Sequence, residues 1–129
     1  VLSLHSEVVH VQHLEAGEGI GYGSTYITPE PMTIATIPVG YADGYPRSLS
    51  NRGTVLIQGT RCPVVGRICM DQFMVAVPNT ITVKPGDKVV LLGSQGHESI
   101  SALEIAALAS TIPYEIFCGF SDRVPRQYI

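Results

Sequence analysis

Lysine is scarce in this chain: of 129 residues only Lys84 and Lys88 carry an ammonium group. Charge of either sign is thin, at 15%, and 8 basic against 11 acidic residues leave a net −3. That balance makes no basic face and removes the electrostatic reason to expect nucleic acid. Cysteine is sparse as well. Cys62, Cys69 and Cys118 are an odd number at low density, which argues against a disulfide scaffold and fits a reducing, cytoplasmic location. No apolar run approaches the ~18 residues of a membrane helix, and no charged leader with an apolar stretch and cleavage site is visible. A metal set is missing too. No C-x-x-C or H-x-x-x-H pairing occurs, and on a strand His10 and His13 point to opposite faces. The chain begins at Val1 without an initiator Met, which reads as a domain cut from something longer.

What is present is apolar: 45% of residues, with mean hydropathy +0.24, too much for a disordered chain. The length suits one domain over residues 1–129. Glycine and proline punctuate it often. Between the marks lie short runs rich in branched and aromatic residues: Val8–Leu14, Met32–Val39, Thr54–Ile57, Pro63–Cys69, Phe73–Val77, Lys88–Leu92 and Glu115–Phe120. Such side chains pack well on a pleated surface, so these runs read as strands. Their spacing predicts a mainly β fold, a Greek-key-like β-barrel. One helix of about ten residues is expected near residues 101–110. There Ser101-Ala-Leu-Glu104 has capping-box form, with the serine accepting an N–H and the glutamate reaching back, and Pro113 stops extension.

Four stretches invite a chemical reading. Gly17-Glu-Gly-Ile-Gly21-Tyr22-Gly23 is glycine-rich, but the third position of a G-x-G-x-x-G loop holds Tyr22, Ser24 or Tyr26 in every register. What remains is a tyrosine flanked by glycines, whose missing Cβ atoms allow close approach of another backbone or a ligand, or simply form a bend. Pro38-Val-Gly40-Tyr41-Ala-Asp43-Gly44-Tyr45 reads as a strand ending in a turn, with Tyr41 and Tyr45 at a rim. Gly66-Arg67-Ile-Cys69-Met70-Asp71 places a cation and a carboxylate beside an apolar run. Both must sit at a rim or face a polar site, because burying unpaired charge is costly. Arg123-Val-Pro-Arg126 is a charge cluster around a rigid proline, or a solvated tail.

Taken in order and spacing, these four stretches resemble the C-terminal β domain of alanine racemase. The likeness runs from about Leu4 to the end; Ser24 stands where many members of that family have alanine. The family depends on pyridoxal phosphate and interconverts L- and D-alanine. It has an N-terminal α/β barrel and works as a head-to-tail homodimer, the β domain of one subunit closing the other's active site. The resemblance implies that Tyr22 is the catalytic tyrosine, on the substrate face opposite the cofactor lysine. It implies that the Met70 backbone holds the substrate carboxylate. Tyr41 and Asp71 would line the substrate entrance, Arg67 would lie in the same channel, and Tyr114 would reach the cofactor phosphate. Neither Lys84 nor Lys88 matches a Schiff-base motif, so this chain alone is expected to be inactive. A racemase for serine or another small amino acid, or a free-standing, non-catalytic β module that binds a partner or ligand, are the other readings.

Overall fold

The structure, a computed structural model, describes residues 3–111. Tyr114, Cys118, the expected strand Glu115–Phe120 and the 123–126 cluster lie outside the described residues. The strands are β1 (Leu4–Glu7), β2 (His10–Leu14), β3 (Gly19–Ile20), β4 (Tyr26–Ile27), β5 (Met32–Ile37), β6 (Thr54–Ile57), β7 (Thr60–Val65), β8 (Phe73–Val77), β9 (Lys88–Gln95) and β10 (Glu98–Ile100). Helix α1 spans Ala102–Leu108, and short 3-10 turns occupy Tyr22–Ser24, Tyr41–Asp43 and Arg47–Leu49. The class is the expected one: mainly β, barrel-like, with one short helix.

The main sheet runs β1-β9-β6-β7-β8-β5-β2, with β10 on β9, and its pairs are antiparallel. Its outer members β1 and β2 are separated in the chain only by Val8 and Val9. Two residues span roughly 7 Å, so the sheet must curl until its ends meet. Val8 and Val9 make that seam: the Val8 N–H donates to Asp87 O at 2.9 Å and the Val9 N–H to Thr36 O at 3.0 Å.

Alternation gives the curled sheet two different faces. Val75 and Val77 of β8, Ala35 and Ile37 of β5, and Cys62 and Val64 of β7 point into the main core, with Ile105 and Ala106 of α1. On the outer face, Ile34, Ala76 and Val65 form a second apolar cluster around Ile20 of β3. That contact holds the two-residue β3–β4 hairpin, and the glycine-rich turn within it, against the outside of the barrel.

Several boundaries differ from the sequence reading. β7 starts earlier, at Thr60, and stops at Val65. Gly66 has φ +81, so the chain leaves the strand there and residues 66–70 form an arch beyond the sheet. β1 and β10 are too short and polar to show a pattern. At α1, Ser101 Oγ accepts the Glu104 N–H at 3.0 Å, but the Glu104 carboxylate does not reach back. It binds Arg61 of β7 instead, at 2.8 and 3.2 Å, and Arg61 also meets Glu98 at 2.9 Å. Tyr45 is a correction. It is only 1% exposed and stacks on Phe73 with ring centroids 4.9 Å apart, so it belongs to the core and not to the rim.

Two buried acids set an alkaline limit on stability. Burial, followed by the charge of Glu104, raises the Tyr45 phenol above its ordinary value. Burial pushes the Cys62 thiol from 9.0 to about 11. Both groups stay protonated in the fold while the unfolded chain ionises. Their contribution is complete below the unfolded values and is lost as pH rises through the folded ones. Melting temperature is therefore expected to drop between pH 9 and 11, and Cys62→Ala should flatten that drop. An unchanged slope in the variant would show that Cys62 does not titrate against folding.

Candidate functional site

The arch 66–70 is the spine of the site, and two turns dock on it through glycine. The first is the turn Tyr22–Ser24, for which the backbone of Tyr22 is described. Gly21 and Gly66 have φ +78 and +81, a region costly for other residues. They also interlock. A Cβ on Gly21 would stand 3.0 Å from the Arg67 nitrogen, and one on Gly66 would stand 2.8 Å from the Ile20 carbonyl oxygen. Main chain therefore packs on main chain. The Arg67 guanidinium lies across Gly23, with Nη1 3.4 Å from where that residue's Cβ would be. Ser24 fills the space left by the missing side chain of Gly19.

The second turn is Tyr41–Asp43. Its amides bind the arch directly: the Tyr41 N–H donates to Cys69 O at 3.0 Å and the Ala42 N–H to Met70 O at 2.9 Å. Gly40 makes this possible, since a Cβ there would overlap the Cys69 and Met70 main chain. The buried Asp43 carboxylate folds the turn by accepting the Gly40 N–H at 3.0 Å. Tyr41 and Met70 are both exposed, at 46% and 54%. The Arg47 guanidinium sits 5.7 Å from the centre of the Tyr41 ring, within cation–π range. Asp71 is exposed beside Met70.

The structure thus brings five of the six predicted positions to one rim: the Tyr22 turn, Tyr41, Arg67, Met70 and Asp71. Tyr114 lies outside the described residues. Ser50 and Asn51 are what sequence reasoning missed. Ser50 Oγ accepts the Ile68 N–H at 2.8 Å and donates to Arg47 O at 2.7 Å. Asn51 binds both Gly66 and Thr25. The run Ser-Asn-Arg-Gly at 50–53 signals a turn, but nothing local announces bonds to residues 15 or more positions away.

The lysines stand elsewhere. Lys84 is in the turn that Asp87 closes, and Lys88 opens β9 beyond the Ile57 end of β6, whereas Asn51 leads into its Thr54 end. Among the described residues no three His, Cys, Asp or Glu come together to hold a metal ion, and no helix is long and apolar enough to cross a membrane.

A family model described as "Alanine racemase, C-terminal domain" matches residues 1–128. An alanine racemase from Symbiobacterium thermophilum is 60% identical over 98% of the chain, which covers 34% of that protein. The crystal structure of alanine racemase from E. faecalis superposes with TM-score 0.93 at 47% identity, over 98% of this chain and 33% of that one. The enzyme from Bartonella henselae, solved with covalently bound pyridoxal phosphate, gives TM-score 0.92 at 37% identity, over 100% of this chain and 35% of that one. The chain spans about a third of the length of these relatives, at their C-terminal end. The chain belongs to the alanine racemase family and is its C-terminal domain.

Proposed function

We propose that this chain forms one wall of the active site of a pyridoxal-phosphate alanine racemase, supplying Tyr22 to a substrate held by the partner subunit's barrel. The observation that carries this reading is the arch 66–70, on which the Tyr22 turn and the Tyr41 turn both rest through glycine-to-backbone contact. The relatives' names support alanine as the substrate, and the Bartonella henselae structure supports the cofactor. The described residues do not by themselves seat that cofactor, because both lysines stand away from the rim. Its lysine is assigned to the barrel, and from this chain only Tyr114 is assigned to its phosphate. When bound, the pyridoxal ring takes up negative charge developing at the substrate Cα.

The chain's own residues bind and move protons. Racemisation removes a proton from one face of Cα and returns one to the other, so two groups must stand on opposite faces. Tyr22 holds the proton on one of them. Flanking glycines let its backbone come close to Cα without Cβ bulk. Met70 binds the substrate carboxylate through its N–H. In a trans peptide the N–H points opposite to the preceding carbonyl. The Cys69 carbonyl is tied to the Tyr41 N–H, so the Met70 N–H is aimed away from that turn. Tyr41, Arg67 and Asp71 line the approach to this edge.

A division of labour follows. The isolated chain, incubated with pyridoxal phosphate and L-alanine in heavy water, should show no loss of the α-proton signal above a protein-free control. The full-length protein should erase it. Exchange by the chain alone would overturn the assignment of the lysine to the barrel.

A further inference from the structure

We infer that Asn51 is a positioning residue for this reaction, setting the Tyr22 turn against the Met70 arch through both ends of its carboxamide; the inference rests on the racemase reading above. Asn51 Oδ1 accepts the Gly66 N–H at 2.5 Å, where the arch begins. Asn51 Nδ2 donates to Thr25 Oγ1 at 3.3 Å, immediately after the Tyr22–Ser24 turn. The orientation of the amide is fixed by chemistry, because the Gly66 N–H can meet only an acceptor. One rigid planar group thus bridges the two segments. Its backbone has φ +59, a conformation that asparagine tolerates better than most residues.

The fold gives this bridge a task. The β3–β4 hairpin has two residue pairs, far below what holds a hairpin alone. The cluster around Ile20, with Tyr26 packed against it, holds the residue pair beside the turn. Within the turn Gly21 rides on Gly66 and Arg67 main chain, and Gly23 lies under the Arg67 guanidinium. Asn51 is the cross-brace there. Ser50 repeats the device one step along, on the Ile68 N–H. The two residues therefore bind alternate amides of the arch.

The test uses the full-length enzyme, with Tyr22→Phe as a reference. Asn51→Gly keeps the backbone conformation and removes the brace. It should lower kcat for alanine racemisation by about tenfold to a hundredfold, with KM little changed, as expected for a small misplacement of a catalytic group. The α-deuterium isotope effect should rise in only one direction of the reaction, the one in which Tyr22 removes the proton. Asn51→Asp should restore most of the rate, since one oxygen still accepts from Gly66 and the Thr25 hydroxyl can donate to the other. Thr25→Val, at an exposed position, should show the same one-sided isotope effect with a smaller loss, and it decides the matter should Asn51→Gly fail to fold. Isotope effects unchanged in both directions, or wild-type kcat in both Asn51→Gly and Thr25→Val, would overturn the inference. In those cases Tyr22→Phe still shows its large loss and the racemase reading stands. A wild-type protein that does not racemise alanine removes that reading and this inference together.

Discussion

Tyr22→Phe in the full-length enzyme is expected to cut alanine racemisation by about 10²–10⁴-fold, the usual worth of a positioned acid or base. The variant keeps the ring and removes only the hydroxyl proposed to exchange a proton. Cofactor absorbance should be unaffected, since no contact to the cofactor is assigned to this hydroxyl. The loss should also be unequal when L- and D-alanine are each exchanged in heavy water, because the proposed role of Tyr22 is on one face of Cα. A phenol ordinarily titrates near 10. Bringing it close to 7 requires about 4 kcal/mol of differential stabilisation at 1.36 kcal/mol per unit. The Arg67 guanidinium lies across Gly23, beside the turn. Wild-type turnover in Tyr22→Phe would reduce the glycine-flanked tyrosine to a structural residue.

Gly40→Ala should be the most damaging single-methyl change at the rim. Gly40 has φ −148, extended backbone that any residue adopts, so conformational strain plays no part. The obstacle is steric: the added carbon overlaps the Cys69 and Met70 main chain, which cannot rotate aside. Overpacking of this kind costs about 1–3 kcal/mol, and main-chain neighbours place it at the upper end. The turn must lift off the arch and lose the Tyr41 and Ala42 bonds to it. Met70 then loses its orientation, and a shift of about 1 Å there is worth up to a hundredfold in kcat/KM. Denaturant titration reads the first effect and steady-state kinetics the second. Gly23→Ala is the comparison, because its added carbon meets the mobile end of Arg67 3.4 Å away, leaving chiefly the cost of φ +75. Wild-type stability and kcat/KM in Gly40→Ala would mean that the Tyr41 turn does not rest on the arch.

Much of this was legible in the residues. β6 and β8 coincide with the apolar runs Thr54–Ile57 and Phe73–Val77, and the Gln58-Gly59 turn between β6 and β7 has both φ positive, as a two-residue hairpin turn requires. Ser101 caps α1 as its sequence suggests. The second half of that capping box was not legible, because a strand cation 43 residues away competes for Glu104. Tyr45 misled for a related reason. Its turn-rich neighbourhood resembles a surface, while Phe73, distant in sequence, draws the ring inside. At the site, the residue types of the rim were visible as motifs. Their assembly was not, since it depends on glycines meeting backbone and on Asn51 and Ser50 reaching over distances no local pattern encodes.

The docking of Tyr41 and Ala42 on Cys69 and Met70 uses amides and carbonyls only. An inhibitor that engaged the opposite edge of this main chain, where the Met70 N–H points, would gain a contact that point mutation cannot easily abolish. Every amino acid except proline at position 70 presents the same N–H, and the glycines that shape the edge have no harmless replacement. Resistance would have to arise at the exposed side chains around it, such as Tyr41 and Arg47.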